Sequence, residues 1–251
     1  MTEIQQIREE LKKAGNKERA ENSKKYLKSP YEFYGIKVPE IRKIVKNYKQ
    51  LEFHSALNLF DELWNSGNHE EMSFALYLLE NYVKKYSQYI WKFLLERIEK
   101  AKTWDHVDEF SSHILGVILA EDMRIMSDIK PLFESKNPWM RRTSIVSTYP
   151  LIKKNKIDLT LRLAEKLVYD KDIYVQKGAG WMLREAGKKN RIAVREFVII
   201  HMNMKPIAFS YATEKMTELR EIKKEKVKEM KEKAKKEKKL RNRKEENANK
   251  S

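Results

Sequence analysis

The chain contains no cysteine. That excludes a disulfide framework and a thiolate metal site, and it suits a reducing, cytoplasmic setting. Glycine and proline are scarce, at seven and six of 251 residues. Alternating runs of β-branched residues are missing too, while Leu, Ile, Lys and Glu are abundant, so the composition is that of an all-α protein. The five histidines, His54, His69, His106, His113 and His201, show no HExxH or HxH spacing; no metal site is expected. No apolar run reaches the ~18 residues of a membrane span, and the opening "MTEIQQIREELKK" has no signal-peptide core. The expectation is a soluble intracellular protein with no membrane partner.

What is present is charge. The net charge is +16, and residues 220–251 hold fifteen basic and seven acidic side chains, half of that excess. The remainder of the chain is therefore basic in its own right. A basic body points to a polyanion, most simply nucleic acid, although lysine-rich surfaces also serve solubility. With 41 % hydrophobic residues the chain can bury a sizeable core.

Four segments align from their expected helix starts: "NHEEMSFALYLLENYVKKY" at Asn68, "TWDHVDEFSSHILGVILAE" at Thr103, "NPWMRRTSIVSTYPLIKKN" at Asn137 and "KDIYVQKGAGWMLREAGKKN" at Lys171. The starts are 35, 34 and 34 residues apart. Asn68, Thr103 and Asn137 are good N-caps, and Pro138 suits a first helical position. Three segments close on lysine pairs, Lys84–Lys85, Lys153–Lys154 and Lys188–Lys189, favourable near a helix C-terminus. Shorter amphipathic stretches lie between: "QYIWKFLLERIEKA", "MSDIKPLFESK" and "DLTLRLAEKLVYD". Two further pairs precede them, and "IAFSYATEKM" supplies a closing helix. Helix pairs at this period predict an α-solenoid of HEAT-like repeats, about six pairs, curved, with a basic concave face for binding. The repeat domain is expected to span 1–218. Residues 219–251 have no aromatic and few apolar side chains, which predicts a basic, solvated, flexible or partly helical tail.

In this frame Asp108 and Arg142 share one offset in neighbouring segments, so they face the same side. Trp104 stands one turn before Asp108, and Lys177 and Trp181 stand one turn apart two segments on. A carboxylate–guanidinium ladder between repeats can be purely structural. Tryptophans beside it favour a binding surface, because an exposed indole is costly unless something stacks on it. Trp64, Trp91 and most Tyr and Phe residues lie at core spacing, whereas Trp139 could line the groove or pin its helix start. Asp105 and Glu109 read as solvated neighbours, and His106 and His113 as surface or packed histidines.

The motifs "YLKSPYEFYGIKVPEIRKIVK", "TWDHVD", "NPWMRRTSIV", "YVQKGAGWMLREAGKKN" and "IAFSYATEKM" resemble, in order, those of the HEAT-like-repeat alkylpurine DNA glycosylases, the DNA alkylation repair family. The resemblance covers about Met1 to Met216; the basic tail departs from it. It implies Asp108 as the catalytic acid. It also implies Trp104, Trp181, Arg142 (in preference to Arg141) and Tyr26 as residues that contact substrate DNA. It further implies a monomer acting on duplex DNA that contains N3- or N7-alkylated purines, with no cofactor and without drawing the base into a pocket. In that reading Arg142 holds a backbone phosphate. A non-catalytic binder of distorted DNA and a protein scaffold are the alternative functions.

Overall fold

Asn68, Asn137 and Asp172 each turn a side-chain oxygen onto backbone N–H groups two or three residues ahead, and a helix begins at each. Thr103 also precedes a helix, but its hydroxyl leaves the helix uncapped and lies 3.3 Å from His106 Nδ1 instead. The fourth segment starts at Asp172 rather than Lys171, because the aspartate is the residue with a cap oxygen to offer.

These starts organise a computed structural model that describes residues 2–248. In chain order its helices are α1 (Glu3–Ala14), α2 (Lys17–Leu27), α3 (Val38–Val45), α4 (Phe53–Trp64), α5 (His69–Glu80), α6 (Val83–Leu95), α7 (Trp104–Glu109), α8 (Gly116–Glu121), α9 (Ile129–Phe133), α10 (Pro138–Val146), α11 (Tyr149–Lys153), α12 (Asp158–Leu167), α13 (Ile173–Gly187), α14 (Arg191–Ile200), α15 (Pro206–Ala212) and α16 (Glu218–Ala248). No strand forms among the described residues. The fold is an all-α stack of helical repeats in which each element packs on its neighbours: α4 on α5, α10 on α13, α13 on α12 and α15. The core runs the length of the stack, and Trp64 and Trp91 lie inside it, each 2 % exposed.

Three differences from the sequence reading have local causes. Lys84–Lys85 open α6 rather than close α5, because the Asn81 amide donates to the Tyr77 and Leu78 carbonyls and ends α5 early. Helix α14, "RIAVREFVII", escaped the repeat alignment; Asn190 caps it, and Val194, Phe197 and Val198 are its buried residues. The expected tail is helical through Ala248, and its last residues, 249–251, lie outside the described part. Leu219 is wholly buried, Ile222 packs on the core, and Lys223 Nζ sits 3.9 Å above the Phe209 ring. One face of the first turns of α16 therefore belongs to the stack, and unbroken exposure runs over 224–229.

Two glycines of α13 set the spacing around the site. A Cβ on Gly180 would lie 2.6 Å from the Ala208 carbonyl and 2.6 Å from Tyr211 Cβ. A Cβ on Gly178 would crowd the Arg142 guanidinium at 3.2 Å. Their bare backbones let α15 approach on one side and Arg142 reach across on the other.

Candidate active site

Residues Trp104 and Asp108 lie four apart on α7, on one face of the helix. A π-helical turn, Phe110–Leu115, follows directly, and Ser112 Oγ donates to the Asp108 carbonyl at 2.6 Å. Such turns add a residue to the helix and often sit beside functional positions.

One repeat on, α10 supplies Arg142. Its Nε and Nη2 each donate to a different Asp108 oxygen at 2.8 Å, and Nη1 donates to the Tyr174 carbonyl. The side chain is only 6 % exposed, and that of Asp108 is 16 % exposed. Burial pushes the Asp108 carboxyl above the ordinary range; the guanidinium opposes the shift without cancelling it. Because that guanidinium stays charged and grips both oxygens, the pair is ionic at neutral pH. Arg141, the neighbouring candidate, points away and forms its own fork with Asp170 at 2.6 and 2.9 Å.

A cleft of about 420 Å³ opens over this pair. Tyr26, Trp104, Asp108, Arg142 and Trp181 all line it, so the five positions read from the sequence converge. Tyr26, 74 % exposed, stands edge-on to Trp104 with ring centroids 5.9 Å apart. Across the cleft Trp181 leans on Tyr149 at 5.8 Å. Lys28, Tyr174, Lys177, Arg184 and Tyr211 complete the lining. Tyr174, Lys177, Trp181 and Arg184 follow a three–four–three spacing along one face of α13, so periodicity from Trp181 could have found the two missed ones. Lys28 and Tyr211 carry no such signal. Trp139 does not line the cleft; it packs behind Tyr174 at 4.9 Å. Neither do Lys153, Lys154, Lys188 or Lys189.

Asp105 and Glu109 are not the solvated neighbours that the sequence suggested, because α5 packs against their side of α7. Asp105 accepts a hydrogen bond from His69 Nε2 at 2.8 Å. Burial, the largest single influence, acts to raise its carboxyl, but this bond together with the electrostatic pull of the two neighbouring histidines outweighs it and holds the group well below the usual carboxylate range. Glu109 shares the Arg42 guanidinium with Glu80. Burial first, then the second carboxylate, push Glu109 up to about 8. Both acids line a recess of about 330 Å³ on the far side of Tyr26 and Trp104.

His69, Asp105 and His106 in that recess bring ligand-type atoms within 4.8 Å of one another. Proton bookkeeping decides their state. His106 Nε2 lies 3.1 Å from the His69 carbonyl, which only accepts, so Nε2 carries the hydrogen. Its Nδ1 then accepts from the Thr103 hydroxyl, and burial pushes the ring down to about 3, leaving it neutral. The lone pair a metal would need is committed, so the cluster reads as a hydrogen-bonded brace under α7.

A sequence profile of the family described as "DNA alkylation repair enzyme" matches residues 7–216. Among solved structures, a predicted DNA alkylation repair enzyme from Enterococcus faecalis superposes with a TM-score of 0.71 at 22 % identity, covering 80 % of this chain and 96 % of its own. AlkD2 from Streptococcus mutans gives 0.55 at 19 %, covering 70 % of this chain and 89 % of its own. No curated protein matches the chain.

Proposed function

Since the chain belongs to the DNA alkylation repair enzyme family, we propose that it is a DNA glycosylase that removes cationic N3- or N7-alkylated purines from duplex DNA. The observation that carries the proposal is a largely buried carboxylate, Asp108, facing an aromatic cleft whose rim is basic. Cleaving an N-glycosidic bond develops positive charge on the sugar, as in glycoside hydrolysis. A purine alkylated at N3 or N7 is already cationic, so it leaves with the bonding electron pair and needs no protonation. One carboxylate then suffices.

Asp108 stabilises the oxocarbenium-like sugar and accepts the proton of the water that adds to the anomeric carbon. Tyr26 and Trp104 on one wall and Trp181 on the other pack on the damaged nucleotide. Their π-faces favour a cationic ring over a neutral one by roughly 0.5–2 kcal/mol. Arg142 takes a different part from the phosphate contact inferred from sequence. Nearly all of its side chain is buried, with three N–H groups committed to Asp108 and Tyr174. It positions Asp108 and keeps it charged. Lys177, which lines the cleft with its ammonium 5.6 Å from the Tyr174 ring centre, faces the phosphates.

The direct test is incubation with methylated duplex DNA followed by separation of the released bases. Free 3-methyladenine or 7-methylguanine is expected above the spontaneous background. DNA bound without release would make the protein a non-catalytic binder.

A further inference from the structure

Helix α2 ends in a Schellman motif: Ser29 N–H bonds the Lys24 carbonyl at 3.1 Å, and Lys28 N–H bonds the Lys25 carbonyl at 3.2 Å. That motif places Lys28 in the left-handed region, at φ 51° and ψ 42°. Glycine is the usual residue there because a Cβ is unfavourable in this conformation. Among the described non-glycine residues only Lys28 and Asn155 have positive φ, and asparagine tolerates it. Lys28 is thus, among the described residues, the one that is neither glycine nor asparagine and yet takes a left-handed position that the helix-ending motif would normally give to glycine. Its place in the molecule gives a reason. It lines the cleft beside Tyr26, its side chain is exposed, and it makes no ion pair among the described residues, whereas Arg184 on the same cleft is paired with Glu214. A lysine in a strained position at a functional cleft points to use of its side chain.

We infer that Lys28 is a phosphate ligand: its ammonium holds a backbone phosphate of the nucleic acid on the Tyr26–Trp104 side of the cleft. The turn of α2 into the left-handed region brings the side chain to the lip. Without that turn, a residue two places after Tyr26 would point elsewhere. This inference rests on the proposed DNA substrate.

Glycine at the same position separates the two roles, since it relaxes the backbone and removes the charge. In Lys28→Gly the melting temperature is expected to hold or rise by up to about 2–4 °C. The slope of log binding constant against log salt, measured on undamaged duplex DNA, should become shallower by about 0.9, the loss of one phosphate contact. Lys28→Arg should retain the wild-type slope. An unchanged slope in Lys28→Gly, while the wild type binds with a steep one, overturns the assignment and leaves the DNA reading intact. A melting temperature that falls along with affinity makes Lys28 structural and overturns it too. Failure of the wild type itself to bind duplex DNA defeats both.

Discussion

Asp108 is one of several carboxylates that an arginine distant in sequence holds in this fold: Asp61 with Arg97 and Asp170 with Arg141 form comparable forks. Its pairing alone therefore has a structural explanation, and what separates it is the aromatic cleft above it. Titration distinguishes the two roles. Because the Asp108 carboxyl is raised, its active, ionised form is lost as pH falls through a value above the ~3.9 of an ordinary aspartate. The acid limb of the single-turnover excision rate should have its midpoint above pH ~4, with folding checked by circular dichroism. A rate that stays flat through pH ~4 in folded protein would remove Asp108 from the chemistry. Trp104→Ala should slow excision and weaken binding of the lesion, leaving affinity for undamaged duplex near wild type.

At the level of elements, the helix α7 and the π-helical turn after it carry the site, and α5 braces them from behind. Glu109 and Glu80 sharing Arg42 gives that brace a pH response. The folded-state pKa of Glu109, about 8, lies above its ordinary value of 4.5. The native state thus holds a proton that the unfolded chain has released. Its contribution is fully present below pH ~4.5 and is lost as pH rises through about 8. Glu109→Gln keeps the shape without the ionisation, so the fall in melting temperature between pH 6 and 9 should be smaller than in wild type. An equal fall would show that Glu109 does not titrate in that window. This brace was not legible in the sequence: Asp105 and Glu109 look solvated along one helix, and only the packing of α5 buries them. The shared face of Asp108 and Arg142 was legible because a fixed repeat period converts sequence offset into position, and helical spacing added Trp104 and Trp181; Tyr26 was legible only through the family resemblance. The turn that swings Lys28 into the cleft depends on backbone handedness, which periodicity does not encode.

For the whole molecule, charge divides between the stack and the helix α16. Residues beyond Lys223 are rich in basic side chains, and those of 224–229 are exposed. Ending the chain after Lys223 keeps Leu219, Ile222 and Lys223 in place. The truncated protein should melt as the full chain does, bind duplex DNA with a shallower salt dependence, and excise at an unchanged single-turnover rate when enzyme saturates the DNA. A lost rate would place part of the site in α16; an unchanged salt slope would mean that α16 does not touch DNA. The repeat register reached the stack from sequence, but the end of the stack needed structure, since Leu219 and Ile222 are too few to stand out in a lysine-rich run.

The most direct measurement of the central claim is made on Asp108→Asn, with melting temperature and single-turnover excision of a cationic alkylpurine recorded on the same preparation. The substitution keeps shape and some hydrogen bonding to Arg142 while removing the charge that the sugar cation needs. The predicted result is a rate lower by roughly 10² or more, about 3 kcal/mol of barrier, with DNA binding near wild type and a loss of melting temperature too small to leave unfolded protein at the assay temperature. A destabilised protein whose rate constant stays at the wild-type value would contradict it and return Asp108 to the inter-repeat ladder.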